Sequence, residues 1–388
     1  MSKKKTIIKY CSGCGLCKSE NKASLSVNNK GFLTPSSESI NMEFCLNICP
    51  SAGQNLQSNK IWGSESDSIY YAWSSNSKIR KSASSGGVLS SLCIYLLENK
   101  LVDGIIQTTV SEDCVYGTKT IISRSASEVL KCSGSRYSIS SPLSELSYLI
   151  NPNEKYAFVG KPCDVAALRS YKDKYQQYDN IVYLFSFFCA GLPSNDAQNK
   201  LLNRLNTNNV KCKSLQYRGN GWPGSATAVN NDNTISTMSY SESWGGILGR
   251  DVNLLCRFCY DGIGISADIS CGDAWYVNSD NTPDFTEKEG RNVVFLRTEN
   301  GKVLFENCIK SGTISGIINT GSELKYIQNY QYKRRATMLS SIIALKLMGR
   351  PVPFYSFKLM LATAKHASIA SHFKQFVGII KRCIYKKI

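Results

Sequence analysis

The pattern of apolar and polar residues separates a long central stretch from two different ends. Residues 61–330 alternate short apolar runs with segments of helical periodicity. The runs Leu101–Gln107, Tyr156–Gly160 and Ile181–Phe188 predict strands, since each is short, apolar and bounded by turn residues. This alternation predicts a mixed α/β (α+β) body. Residues 204–242 are rich in Asn, Ser, Gly and Thr, which predicts long loops.

Residues 331–388 have a different character. Pro351 and Pro353 predict a break between helices. After them, apolar residues recur at steps of three and four, which predicts one stripe of an amphipathic helix formed by Ile369, Phe373, Phe376, Ile380 and Ile384. No apolar run reaches the roughly 18–20 residues needed to span a bilayer. The helix is open to three interpretations: docking on the body, contact with an anionic membrane face, or contact with a partner protein.

The positive charge of the chain is concentrated in this basic amphipathic tail. The 388 residues carry a net charge of +17, and residues 333–388 contain twelve Lys or Arg and no Asp or Glu. The body therefore has little excess charge, and no nucleic-acid partner is expected. The length is ample for two or three structural units.

Cysteine is abundant, with 16 residues, whereas histidine occurs only at His366 and His372. The start MSKKKTIIKY lacks the apolar segment of a secretory signal, so we expect a cytoplasmic protein in a reducing compartment. Clustered cysteines in such a compartment indicate metal or redox chemistry rather than disulfides. The scarcity of histidine argues against a His-rich metal site and against histidine catalysis in the body.

The opening contains a candidate iron–sulfur motif. The segment CSGCGLC spaces Cys11, Cys14 and Cys17 as C-x2-C-x2-C, and Cys49 is followed by proline in CLNICPSAG. This spacing is typical of three ligands of a 4Fe-4S cluster that is completed by a distant Cys-Pro cysteine. A zinc site on the same four thiolates is the alternative. Cys45 resembles the remnant of a second motif.

A second set of cysteines is spread through the body and consists of Cys163, Cys189, Cys256 and Cys259. Two of them end strand-like runs, where ligands gather in α/β proteins. The four could hold a second 4Fe-4S cluster. The pair in CRFC is also compatible with zinc, with a redox pair or with buried thiols.

A candidate phosphate site precedes a predicted helix. The helical pattern of Leu89, Leu92, Cys93 and Leu96 places four small residues at the helix N-terminus, namely Ser84, Ser85, Gly86 and Gly87. Free amides and the positive end of the helix dipole favour a phosphate there. An ordinary serine N-cap is the alternative.

Several of these motifs occur in a familiar order: GCG, SSGGVLSSLCIYLLENKLVDGII, YAFVGKPCDVAALR, FFCAGLPS, CRFC and ADISCGDAW. Over residues 8–300 the chain resembles the coenzyme F420 hydrogenase/dehydrogenase beta-subunit family. The resemblance implies a ferredoxin-like 4Fe-4S segment at 1–60, followed by a flavoprotein body. The body would comprise an N-terminal part at 61–150 and a C-terminal part at 151–330, with the tail at 331–388 outside the resemblance. The chain departs from the family by lacking one full cysteine motif and by carrying Cys271.

The resemblance also implies cofactors and roles. FAD would bind with its pyrophosphate at Ser84–Gly87, the body cysteines would hold a second cluster, and Lys161 would face flavin or substrate. Asp268 and Asp273 are candidate acids or flavin contacts, and a turn cap is the alternative for Asp273. The implied function is an oxidoreductase that moves electrons from a donor such as ferredoxin through 4Fe-4S clusters and FAD to a small-molecule or sugar-linked substrate.

The resemblance leaves the biological setting open. Use of coenzyme F420 itself is not implied. The family includes bacterial members found with surface-polysaccharide genes, and a basic tail that meets the inner face of the membrane fits such a setting. A non-catalytic electron-transfer subunit and a zinc-stabilised, membrane-associated assembly protein are the alternatives.

Overall fold

The structure, a computed structural model, describes residues 3–52, 60–63, 68–319, 321–385 and 388. The predicted boundary at residue 60 falls between segments outside this description, and so do Lys386 and Lys387 of the tail. The strands are β1 (Leu25–Val27), β2 (Leu33–Pro35), β3 (Ile69–Ser74), β4 (Gly104–Val110), β5 (Thr118–Ser123), β6 (Tyr156–Gly160), β7 (Ile181–Phe187), β8 (Cys212–Gln216), β9 (Ala226–Asn230), β10 (Ile235–Met238), β11 (Ile269–Asp273), β12 (Tyr276–Val277), β13 (Pro283–Asp284), β14 (Asn292–Leu296) and β15 (Ile314–Ile318).

The helices are α1 (Lys3–Lys9), α2 (Leu16–Asn21), α3 (Met42–Ile48), α4 (Ser77–Ser82), α5 (Val88–Glu98), α6 (Ala126–Lys131), α7 (Leu146–Leu149), α8 (Pro162–Tyr175), α9 (Asn195–Arg204), α10 (Leu254–Arg257), α11 (Glu299–Lys310), α12 (Leu324–Ile327), α13 (Asn329–Ala336), α14 (Met338–Leu347), α15 (Phe357–Ala364) and α16 (Ile369–Ile384). Polar side chains begin several of them: the hydroxyl groups of Ser194, Thr298 and Ser368 accept backbone N–H groups at the starts of α9, α11 and α16.

A mixed eight-stranded sheet forms the centre of the body, in the order β15-β3-β14-β11-β7-β6-β4-β5. Strands β4, β6, β7 and β11 are parallel, whereas β5, β14, β3 and β15 join by antiparallel pairing. The predicted mixed α/β body is therefore confirmed. Three of its strands fall where the apolar runs predicted them, although β4 begins and ends three residues later than its run.

Both faces of this sheet are covered, because alternate residues of a strand point to opposite sides. On β6, Tyr156 and Phe158 pack into the cluster that contains Phe44 of α3 and Leu168 of α8. Ala157, between them, packs into the cluster formed with α5 and α11. The cysteine-bearing opening is thus held on the body through α8.

Smaller units surround the sheet. Strands β8, β9 and β10 form a three-stranded antiparallel sheet that packs with α9, and β1 pairs with β2 in a hairpin within the opening. A π-helical segment at Ser241–Ile247 follows β10. Part of the stretch predicted as long loops, 204–242, is therefore β-sheet.

The tail forms four helices, α13 to α16, that pack on the body. A break at 348–356 contains the two prolines, as the sequence predicts. Helix α16 covers the predicted region, but Ile379 and Cys383 are its buried residues, whereas Ile369 and Phe373 of the predicted stripe are exposed. Phe376 and Ile380 are partly buried against the cluster that contains Ile379 and Cys383, so only the middle of the predicted stripe lies on the packed face. Among the described residues, no helix combines the length and apolarity required to cross a membrane.

Candidate functional site

The opening motif places three cysteines around one tight loop, with Cys11 and Cys14 before α2 and Cys17 in its first turn. Gly15 adopts a φ of 90° at the N-cap, and a Cβ at this position would lie 2.3 Å from the hydroxyl oxygen of Ser141. Only glycine fits this close approach of loop and body. The N–H of Gly13 donates to the sulfur of Cys11 at 3.3 Å.

The thiols of the opening lie close enough together to influence one another. Burial raises the pKa of the Cys11 thiol, and the thiols of Cys49, Cys14 and Cys17 raise it further. Burial and the same neighbours also raise the pKa of Cys45, so five thiols share this region. Such thiols become thiolates only when a positive partner such as a metal centre compensates the charge.

The body cysteines come together from distant segments. Cys163 lies in the first turn of α8 beyond β6, Cys189 follows β7, and Cys256 and Cys259 lie in and just after α10. Burial raises the pKa of Cys256 to about 12, with contributions from Cys189 and Cys259. Burial also raises the pKa of Cys163, and both Cys189 and Cys256 contribute. The four thiols that the sequence grouped are therefore neighbours.

No three His, Cys, Asp or Glu side chains in the described part of the chain converge as ligands of a single metal ion do. Each cysteine of a cubane cluster binds a different iron, so the ligands of a cluster surround a volume rather than a point. The two thiol groups adjoin: Asp164 contributes to raising the pKa of both Cys14 and Cys163. The Asn253 amide also donates to the carbonyl oxygen of Cys11 at 3.0 Å.

A cavity of about 620 Å³ opens beside the body cysteines, which is within the usual range for small-molecule and cofactor sites. Its wall includes Cys189 and the start of α5, where Ser84, Ser85 and Gly87 line it but Gly86 does not. The hydroxyl of Ser84 is buried without a hydrogen-bond partner, while that of Ser85 donates to the Arg291 carbonyl at 2.8 Å. An orphaned polar atom on a cavity wall suits a polar ligand.

Two glycines shape this wall. Gly87 begins α5 at a φ of 79°, which favours glycine. A Cβ at Gly86 would lie 2.7 Å from the Ala72 carbonyl oxygen and 2.8 Å from the Asn292 nitrogen. Gly86 therefore allows the loop to pack closely on the sheet while its neighbours reach the cavity.

Lys161 also lines the cavity, at the end of β6. Its ammonium group lies 2.8 Å from a carboxylate oxygen of Asp164 and donates to the Ser140 hydroxyl at 2.6 Å. Burial favours a lower pKa for Lys161, but the Asp164 carboxylate outweighs it and raises the pKa above the ordinary value. Lys161 is therefore a fixed cation on the cavity wall.

Asp273 reaches the cavity as one half of an ion pair. Its two carboxylate oxygens accept from the Arg218 guanidinium at 2.9 and 3.0 Å, and one also accepts from the Trp222 indole N–H at 2.8 Å. Arg218 is only 3% exposed, and its charge lies over the Tyr240 and Trp275 rings. A carboxylate bound by an arginine on both oxygens is held in place as a hydrogen-bond acceptor.

Sequence reasoning missed Arg218 and Arg136, which both line the cavity. Arg136 is half-buried, and its buried Nε has no hydrogen-bond partner. The only local signal was the glycine-rich turn GNGWPG that follows Arg218.

Asp268 does not line the cavity. Its carboxylate accepts from the Arg169 guanidinium at 2.9 Å, the Thr298 hydroxyl at 2.8 Å and the Leu184 N–H at 2.7 Å. These contacts connect Asp268 to α8, to the start of α11 and to β7. The structure therefore lends no support to a flavin contact at this residue.

Comparison with known proteins identifies the family of the chain. Two models of one family, described as "Coenzyme F420 hydrogenase/dehydrogenase, beta subunit", match consecutive parts of the chain. The N-terminal model matches residues 69–147, and the C-terminal model matches residues 153–316. Together they cover more than half of the 388 residues.

Among curated relatives, the coenzyme F420 hydrogenase subunit beta of Methanococcus voltae is 25% identical over 73% of this chain and 96% of its own. The F420-dependent formate dehydrogenase 1 subunit beta of Methanococcus maripaludis is 25% identical over 64% of this chain and 61% of its own. A chain of the F420-reducing [NiFe] hydrogenase complex from Methanosarcina barkeri shares the fold, with a TM-score of 0.56 and 20% identity over 74% of this chain and 96% of that one. The protein therefore belongs to the coenzyme F420 hydrogenase/dehydrogenase beta-subunit family.

Proposed function

We propose that this protein is an iron–sulfur flavoprotein oxidoreductase that moves electrons between an iron–sulfur donor, such as ferredoxin, and an organic substrate through FAD. One observation carries the proposal. Two groups of thiols adjoin each other, and the body cysteines border the cavity through Cys189. A chain of redox centres that ends at a ligand cavity suits the collection of single electrons for a two-electron reaction.

The opening cysteines Cys11, Cys14, Cys17 and Cys49 are the proposed ligands of one 4Fe-4S cluster. Cys163, Cys189, Cys256 and Cys259 are the proposed ligands of a second cluster, which is nearer to the cavity. The mutual influence of the thiols supports both assignments. The chain holds the two sets of cysteines side by side in its interior, so that electrons would pass directly between the two proposed clusters.

Three features of the chain support the binding of FAD in the cavity. The unpartnered Ser84 hydroxyl, the left-handed turn at Gly87 and the N-terminal end of α5 together suit a pyrophosphate. When bound, FAD supplies the exchange between single electrons and a hydride. Lys161 would keep a fixed positive charge beside flavin or substrate, and Asp273 would hold Arg218 in place on the wall.

The substrate is proposed to be a small or sugar-linked molecule, because the cavity mixes buried cations with aromatic rings. A second candidate is an electron-transfer subunit of a larger assembly. It is favoured by the names of the relatives, which are beta subunits of hydrogenases and formate dehydrogenases.

For the tail we propose peripheral contact with the anionic inner face of a membrane. The described part of α14 to α16 exposes six cations and no acid: Lys346, Lys358, Lys365, Lys374, Lys381 and Arg382. Large apolar side chains are exposed among them: Phe357, Leu361, Ile369, Phe373 and Ile384. An anionic lipid surface attracts lysines and accommodates exposed apolar side chains, so this combination suits peripheral membrane contact.

The test is anaerobic purification of the full chain, followed by iron, sulfide, zinc and flavin analysis. About eight iron atoms and one FAD per chain are expected. Iron without flavin would favour the electron-transfer subunit, and zinc without iron or flavin would overturn the redox proposal. Cys11→Ser should remove about half of the iron, whereas Cys114→Ser, at a cysteine outside both proposed ligand sets, should leave the iron content unchanged.

A further inference from the structure

One buried arginine of the tail reaches the body cysteines. Arg334 lies on α13, beyond residue 316, where the match to the family model ends. Only 8% of it is exposed. The tail therefore contributes a buried side chain to the site of the body cysteines.

The guanidinium binds the backbone of two proposed cluster ligands. It donates to the carbonyl oxygen of Cys256 at 3.0 Å and to that of Cys189 at 3.1 Å. Gln331, one turn earlier, donates to the same Cys189 oxygen at 2.9 Å and accepts from Arg334. The guanidinium group of Arg334 therefore links the backbone after β7, at Cys189, to the backbone of the CRFC segment, at Cys256.

The charge of Arg334 has no carboxylate partner within ion-pair distance among the residues that the structure describes. It lies 4.9 Å from the Tyr330 ring, and Nε has no hydrogen-bond partner. The ionisable groups near it are Tyr330, Tyr355, Arg335 and the thiols of Cys259, Cys189 and Cys256. Two other cations lie near these thiols: Lys161 is already paired with Asp164, and the buried Arg335 lies near both Cys259 and the acid Asp261. A buried cation without a counter-ion is costly.

A glycine makes this approach possible. A Cβ at Gly262 would lie 1.8 Å from Nη2 of Arg334 and 2.3 Å from the Gln331 side-chain oxygen. The segment after Cys259 is therefore shaped around the guanidinium.

The tail holds the CRFC turn at further points. The Tyr355 hydroxyl donates to the Phe258 carbonyl at 2.8 Å, and the Tyr260 hydroxyl donates to the Leu359 carbonyl at 2.9 Å. These contacts fix the turn on which two of the four thiols lie.

From this geometry we propose that Arg334 is a positioning residue of the body cluster, and that its positive charge compensates the negative charge of the cluster and its thiolates. The inference rests on the proposed function, since it requires a cluster on the body cysteines. It gives the tail a part in redox tuning as well as in surface contact. A positive charge beside a redox centre favours electron uptake, so Arg334 should raise the reduction potential of this cluster.

The experiment is a redox titration of the anaerobic full chain, followed by electron paramagnetic resonance, with iron content measured in parallel. Arg334→Gln removes the charge, and Arg334→Lys keeps it. Arg382→Gln, on the exposed side of α16, is the matched control for net charge. The signal of the body cluster is identified as the one missing from Cys189→Ser.

We expect Arg334→Gln to lower the reduced-to-oxidised ratio of the body cluster about tenfold at a fixed ambient potential, or about 59 mV for one electron. Arg334→Lys and Arg382→Gln should stay near wild type. If Arg334→Gln loses the cluster altogether, retention with a near-wild-type potential in Arg334→Lys supports the charge role. An unchanged potential in Arg334→Gln, or equal loss in both variants, overturns it. Absence of iron from the wild type would instead refute the proposed function.

Discussion

Removal of the Asp273 carboxylate should destabilise the fold, because it leaves the Arg218 charge buried without a counter-ion. Two unit charges about 4 Å apart interact by about 4 kcal/mol at the effective dielectric constant of about 20 that suits protein sites. The Trp222 indole loses its acceptor as well, which adds about 1 kcal/mol. The Pro223 carbonyl accepts from Arg218 at 2.9 Å, and aromatic rings lie against the guanidinium. Both contacts offset part of the loss of stability. We therefore expect Asp273→Ala to lower the free energy of unfolding by about 3 kcal/mol.

The two single variants should differ, because the partners are buried to different extents. Arg218→Met leaves Asp273, whose side chain is 20% exposed and can be hydrated, whereas Asp273→Ala leaves a guanidinium whose side chain is only 3% exposed. Arg218→Met should therefore cost less. The double variant Arg218→Met/Asp273→Leu should recover most of the loss, since a buried pair is often replaced by apolar residues without penalty.

The assay is equilibrium urea unfolding followed by circular dichroism on anaerobic protein. Glu112→Ala is the control, because Glu112 pairs with Lys119 on the surface and should have little effect on stability. A loss below about 1 kcal/mol in Asp273→Ala, or no difference between the two single variants, would refute the assignment of Asp273 as the structural partner of a buried cation.

Three further predictions concern the cofactors and the tail. Ser84→Ala should weaken FAD binding about two- to tenfold in a fluorescence titration, without loss of stability, because the Ser84 hydroxyl has no partner within the protein. Ser85→Ala should instead lower the melting temperature, because it removes the hydrogen bond to the Arg291 carbonyl. Cys49→Ser should lose about four iron atoms per chain, whereas Cys45→Ser should keep them; equal loss would give Cys45 a ligand role. Phe373→Ser should weaken co-sedimentation with phosphatidylserine vesicles about tenfold, and binding should fall with added salt; wild-type binding that equals that to neutral vesicles would contradict the tail proposal.

Local patterns predicted the body well. Periodicity found β6 and β7, and the helix α5 begins at the small residues that the sequence singled out. Cysteine spacing within short segments also grouped thiols that the structure brings together. These features depend on residues near one another in the chain, which is what a sequence pattern can report.

The missed features depend on distant partners. Arg218 binds a carboxylate 55 residues away, and Arg334 binds a carbonyl 145 residues away. Nothing beside either arginine marks it as buried. Asp268 and Asp273 were grouped because they share the motif ADISCGDAW, but Asp268 lies just before β11 and Asp273 is its last residue. Five residues of strand span about 17 Å, so only one of them reaches the cavity.

The position of β3 in the central sheet has a consequence for biosynthesis. This strand is made early, yet both of its neighbours, β14 and β15, lie more than 200 residues later in the chain. Both edges of β3 must wait unpaired while the intervening chain leaves the ribosome, and pairings of such high contact order form slowly. A nascent chain that stops before residue 292 therefore has neither neighbour for β3. The four body cysteines, two of which lie at 256 and 259, are then brought together beside the completed sheet only late in synthesis.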